Sequence, residues 1–95
     1  HPRFGRHGLD ITSEQMIDMV TATLGGEIEV ETVDGPVKMK IPAGTQPGTV
    51  FKINGHGVPY RAGEKRGNHL VAVGVEIPRR LTPKQKRLLE DLADS

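Results

Sequence analysis

The chain has 95 residues, 35% of them hydrophobic and 3% aromatic, with 12 glycines and 7 prolines, which is the scale of one small globular domain. Adding glycine brings the apolar share to about 48%, ordinary for a folded protein and against wholesale disorder. One Tyr, two Phe and no Trp leave the core to Val, Ile, Leu and Met and offer no aromatic platform on which bases or sugars could stack.

The absence of cysteine removes disulfides, zinc ribbons and thiol chemistry, and fits the cytoplasm or another reducing compartment. No apolar run approaches the roughly 18 residues that span a bilayer, and no signal pattern opens the chain, so no membrane association is expected. The first residue is His1 rather than Met, as in a piece of a longer protein. The formal net charge of +1 hides an asymmetry: residues 1–37 hold two basic and seven acidic side chains, and residues 38–95 hold eleven basic and five acidic. Such a distribution can steer a charged partner, although interleaved charges more often form a solvated surface.

In chain order, residues 9–17 are ambiguous because Ile11, Met16 and Ile17 are separated by Thr12, Ser13, Glu14 and Gln15; they are read as a strand. Residues 18–24 suit a short helix, with Asp18 as N-cap and Gly25-Gly26 ending it. From residue 27 to 33 the pattern alternates strictly, Ile28, Val30 and Thr32 on one face and Glu27, Glu29 and Glu31 on the other, the period of a half-buried strand. Val37, Met39 and Ile41 alternate with Lys38 and Lys40, and Asp34-Gly35 supplies the positive backbone angles of a hairpin turn. Glu29 or Glu31 is expected to face Lys38 or Lys40 across it.

Pro42 ends that strand, and a turn-rich loop to Gly48 leads into a short strand at 49–54. The connection through Gly55-His56-Gly57-Val58-Pro59 to Gly67 has a tip, 61–66, with no apolar anchor but Ala62 and is expected to be mobile. Residues 70–77 form a β-rich run with Val71, Val73, Val75 and Ile77 on one face and Leu70, Ala72 and Gly74 on the other, as in an internal strand. The last segment is the clearest helix: Thr82 as N-cap, Pro83 first, Gln85 completing a capping box, and Leu88, Leu89, Leu92 and Ala93 as an apolar stripe. Three turns of mixed charge are marginal alone, so this helix must dock on something. A homodimer through the stripe, extended by Leu81, is the expected solution, against a fold-back onto its own sheet.

Catalysis has no visible candidate. The only serines, Ser13 and Ser95, sit in no nucleophile elbow. Neither glycine loop has the spacing of a phosphate cradle. The histidines at 1, 7, 56 and 69 lack metal-ligand spacing and read as surface or strand-end residues. No cofactor and no metal is expected, and the three strand glutamates read as a solvated ladder rather than an acid-base pair.

A family resemblance is carried by particular residues: the run His1-Pro2-Arg3-Phe4-Gly5-Arg6-His7-Gly8-Leu9-Asp10-Ile11, then Leu24-Gly25-Gly26, Val33-Asp34-Gly35, Lys40-Ile41-Pro42-Ala43-Gly44-Thr45-Gln46-Pro47-Gly48, Gly55-His56-Gly57-Val58-Pro59 and Leu81-Thr82-Pro83-Lys84-Gln85. In order and spacing these resemble the second C-terminal domain of the DnaJ family of co-chaperones over nearly the whole chain.

The resemblance implies a mainly β domain of two small, mostly antiparallel sheets packed as a sandwich, with a short helix after the first strand and an amphipathic C-terminal helix through which two subunits pair. The division is then residues 1–80 for the β-rich domain and 81–95 for the dimerisation helix, with Leu81, Leu88, Leu89 and Leu92 at the dimer interface. It also implies a non-enzymatic module that helps hold unfolded protein clients and, through the full-length protein, presents them to a DnaK-type chaperone. The positions matching the family's client groove are Ser13, Gln15, Val30 and Thr32, which are polar or small, so weak client binding by this domain alone is expected. His1-Pro2-Arg3 is not the His-Pro-Asp motif of a J-domain, and the cysteine-rich zinc module and the first C-terminal domain are absent from this chain. His56 and Asn68-His69 replace charges common in relatives. A small basic nucleic-acid or ribosome-associated module is the alternative, suggested by the basic second half, but nucleic acid is the disfavoured partner. A hydrolase would need a nucleophile that is not there.

Overall fold

The computed structural model describes residues 5–7, 10–53 and 67–95. In chain order the elements are β1 (Gly5–His7), β2 (Asp10–Asp18), α1 (Met19–Leu24), β3 (Gly26–Thr32), β4 (Gly35–Ile41), β5 (Val50–Ile53), β6 (His69–Glu76) and α2 (Pro83–Ala93). The ambiguous segment before Asp18 is therefore a strand, preceded by the three-residue β1 that pairs with its start. One sheet runs β1-β2-β6-β5 and a second is the hairpin β3-β4. Three pairings are antiparallel, and the central one, β2 with β6, is parallel from Ile11↔His69 to Asp18↔Glu76. The mainly β, two-sheet fold expected from the resemblance is thus observed, and β6 is the internal strand its apolar run suggested.

The two sheets and α1 share one core. Ile17 of β2, Ala22 of α1, Val30 of β3, Ile41 of β4, and Val71 and Val73 of β6 form a single buried cluster, with Ile28, Met39, Phe51, Ile53 and Val75 packed around it. β3 keeps the expected alternation: Glu27, Glu29 and Glu31 are exposed, and Val30 and Thr32 are buried. Across the hairpin Glu29 faces Lys38 and Glu27 faces Lys40, whereas Glu31 faces Pro36 and not a lysine.

Three further expectations are corrected. Of the Asp34-Gly35 pair only Gly35 takes a positive φ, 101°, and no described non-glycine residue does so. The Thr32 hydroxyl accepts from Asp34 N at 3.1 Å and donates to Gly35 O at 2.7 Å; Val33 and Asp34 keep negative φ, and Gly35 alone takes the positive angle that closes the turn. Ile77 lies outside β6 and is exposed, because Asp18↔Glu76 is the last pair of the ladder: β2 stops where Asp18 becomes the cap of α1. His69 is a strand-end histidine as expected but is fully buried rather than on the surface. The tip at 61–66, and His1 and His56, lie outside the described residues.

The loop after β4 completes α1. Gly44 N donates to Thr23 O at 3.0 Å and Thr45 N to Ala22 O at 2.9 Å, so carbonyls left without partners at the end of a two-turn helix are satisfied by another segment. That approach requires Gly25, at φ 84°: a Cβ there would lie 2.9 Å from both Ala43 N and Ile41 O. Gly25→Ala is therefore expected to cost about 2–3 kcal/mol, from the left-handed angle and the clash together. Gly44→Ala, at φ 79° with nothing within 4 Å, should cost about 1 kcal/mol. Thermal unfolding of the two variants checks this, and equal Tm losses would refute the role given to the close approach.

Candidate functional site

At one end of the four-stranded sheet, β2 turns into α1 and β6 leads through Pro78 and Leu81 into α2. Asp18 caps α1: its carboxylate accepts from Thr21 N at 2.9 Å and from the Thr21 hydroxyl at 2.7 Å. These bonds, the backbone one first, hold the Asp18 carboxyl below its ordinary value of 3.8. The cap fixes Met19 and Val20 as the first helical residues, so their side chains face Pro78 and the inner side of α2. A groove of about 340 Å³ opens there, lined by Met19, Val20, Leu81, Leu88 and Leu89, with Asp18 and Glu76 at its rim.

Helix α2 is locally self-sufficient at its start. Gln85 N donates to the Thr82 hydroxyl at 3.2 Å, and Thr82 N donates to Gln85 Oε1 at 2.9 Å, the reciprocal capping box read from the sequence. None of its residues is fully buried, however: Leu89 is half-buried, and Leu88 and Leu92 are 57% and 66% exposed. Of the four residues expected at a dimer interface, Leu81, Leu88 and Leu89 meet in the groove and Leu92 lies beyond it. Sequence reasoning did not attach Met19 and Val20 to this surface. The signal was present in Asp18, since the cap determines which residues begin α1.

The four residues matched to a client groove do not form one surface. Val30 and Thr32 are 1% and 4% exposed, inside the core, and the Thr32 hydroxyl is engaged in the hairpin turn. Ser13 and Gln15 lie on β2, half-buried on the face shared with His69 and Val71. Ser13 Oγ and the fully buried His69 Nε2 are 2.7 Å apart, a Ser–His pair invisible in a sequence that separates the two by 56 positions. Its burial makes it a core hydrogen bond. The opposite face of this sheet is the open apolar one, where Met16 and Val50 are 56% and 58% exposed and flank half-buried Ala72 and Gly74. The Met16 sulfur rests over Gly74, 2.5 Å from where a Cβ would stand. Among the described residues the pairing of β1 with β2 runs from His7↔Asp10 to Gly5↔Thr12.

Among the described residues no group of His, Asp and Glu is placed to hold a metal ion, and no helix is long and apolar enough to cross a membrane. Among the described residues apolar surface lies at α2 and on the outer face of the sheet, on either side of the β core.

Residues 1–78 match the family model described as the DnaJ C terminal domain. The chain is 49% identical over 94 residues to Chaperone protein DnaJ of Acetivibrio thermocellus, 53% over 93 residues to that of Clostridioides difficile, and 47% over 93 residues to that of Methanothermobacter thermautotrophicus. The alignments cover 98–99% of this chain and 24–25% of those relatives, so the chain spans about a quarter of their length. This chain belongs to the DnaJ C-terminal domain family.

The Asp18 cap carries a pH dependence with a definite sign. A carboxyl held below its ordinary value stabilises the fold above that value, and the contribution is lost as pH falls through the lowered one. Helix α1 and the groove wall it forms should therefore loosen below about pH 4. Asp18→Asn keeps a capping oxygen and should flatten the pH dependence of Tm in that range, and a variant that tracks the original chain throughout would contradict this.

Proposed function

We propose that this chain is the client-holding and dimerising module of a DnaJ-like co-chaperone, non-enzymatic, acting in the cytoplasm or a similar reducing compartment. Residues 1–80 supply the β scaffold and residues 81–95 the helix through which two copies associate. The observation that carries this reading is the partly covered stripe of α2, exposed at Leu88 and Leu92 in a helix without one fully buried residue, in a chain whose relatives carry the name Chaperone protein DnaJ. A short amphipathic helix with its apolar side in water is stable only when another surface covers it.

Clients are held, in this reading, on the outer face of the sheet. Met16 and Val50 supply flexible and branched apolar contact to an extended segment laid across β2, β6 and β5. Of the matched positions, Ser13 acts from beneath, its hydroxyl bonded to His69 of β6. Two arms on one dimer raise a weak single-site affinity through effective concentration, and delivery to a DnaK-type partner falls to the full-length protein.

Both halves of the proposal are measurable. Leu88→Asp with Leu92→Asp, both at exposed positions, should give folded monomers in sedimentation at concentrations where the original chain is dimeric; an unchanged stoichiometry would remove α2 from the interface. A labelled unfolded client should bind Met16→Ser, Val50→Ser several-fold more weakly than the original chain, the loss of apolar area at two half-exposed sites. Its binding should also persist as salt rises. Unaltered affinity in the variant would displace the client site, and a steep fall with salt would favour the nucleic-acid type of module.

A further inference from the structure

The charges of α2 run in an order that the helix itself opposes. Lys84, Lys86 and Arg87 lie in its first half, behind Arg79 and Arg80, and Glu90, Asp91 and Asp94 close its second. The first turn holds no acidic residue and the last no basic one, whereas the helix dipole favours the reverse. Lys86 with Glu90 and Arg87 with Asp91 have pairing spacing along the helix, but with the base first, the weaker orientation. Lys84 has no acid three or four residues away.

The spacing supplies a partner for this pattern. Gln85, Leu88 and Leu92 follow one another at three and four residues, the seam of a two-helix contact, and Lys84 and Asp91 are seven apart, on the same flank of that seam. When two such helices meet antiparallel, equal flanks face each other and the start of one lies beside the end of the other. A parallel pair would set basic half against basic half. The acidic second half also argues against a polyanion as occupant of this face.

We propose that two copies of this chain associate with their α2 helices antiparallel about a two-fold axis, Lys84 of each beside the partner's Asp91. This rests on α2 being the dimer contact and adds the orientation and the device that enforces it. A closed two-fold contact uses the same patch on both subunits, so the charge order, unfavourable within one helix, becomes complementary twice in the pair. Because the flanks remain wet, the charges act on partner choice and register more than on affinity.

The test is a charge exchange read by sedimentation and by native mass spectrometry, with helix content followed by circular dichroism. Lys84→Glu or Asp91→Lys alone should raise the dimer dissociation constant about tenfold, since each turns two attractions into repulsions. The double variant Lys84→Glu, Asp91→Lys should pair with itself nearly as well as the original chain does. Mixed with an isotopically labelled original chain in equal amounts, it should form heterodimers well below the share of about half that random pairing gives. Each chain brings its own helix dipole to the mixture, so an altered dipole does not move partner choice. Heterodimers at or above the random share, or single substitutions without effect, would overturn the antiparallel arrangement while leaving the dimer intact. An original chain that stays monomeric at every concentration would overturn the dimer and the arrangement together.

Discussion

The pairing of β2 with β6 is what the rest of the structure depends on. Among the described strands it is the one parallel ladder, it joins segments more than fifty residues apart, and it places Val71 and Val73 where the hairpin and α1 pack against the sheet. Both valines are essentially inaccessible to solvent. Each fully buried aliphatic side chain of this size contributes about 1.5–2 kcal/mol, and a chain this short has few of them, so the six-residue cluster around β6 leaves little stability in reserve. Among the described residues the hairpin has no third strand, and α1 has two turns; neither is expected to persist without that shared core.

A polar pair sits at the start of this ladder. His69 is fully buried, and leaving its ring unsatisfied would cost more than a bond contributes. The Ser13 hydroxyl at 2.7 Å answers part of that need, and nearby Asn68 N donates to the Asp10 carboxylate at 2.8 Å. Both bonds cross between β2 and the approach to β6. Apolar side chains tolerate a slip along a parallel ladder, whereas a buried imidazole with a specified partner does not, so these two contacts set the register that the valines stabilise.

This division explains how much could be read in advance. Features made by near neighbours were legible: the capping box at Thr82 and Gln85, the Asp18 cap, the alternating faces of β3, and the internal character of β6. The direction of β6 against β2 was not, because strand periodicity carries no sign for parallel or antiparallel pairing. The family resemblance supplied the two-sheet fold and assigned residues 9–17 to a strand, where their own pattern was equivocal. The hairpin turn misled because its side chains compete with backbone preference: Thr32 bonds on both sides of the turn and spares Asp34 the left-handed angle. Candidate client positions were the least legible. Alternation says that Val30 and Thr32 share a face with Ile28, but only the tertiary fold shows that face closed by β6.

The same small core accounts for where the apolar surface had to go. With molecular extents of 56 × 23 × 19 Å, an elongated chain of 95 residues cannot enclose all of its large hydrophobic residues. Those left out fall mainly on the sheet's outer face, on α1 and on α2. On a monomer such surfaces invite aggregation. Two features bear on which surface meets which: α2 carries basic side chains in its first half and acidic ones in its second, and the sheet face has Glu14 and Lys52 exposed beside Met16 and Val50. In the proposed reading a surface with a selective flank suits one fixed partner, and a narrow apolar strip suits many extended ones, because apolar contact is non-directional. If that reading holds, the separation of the two lets one small domain associate specifically at one end while remaining permissive along its side.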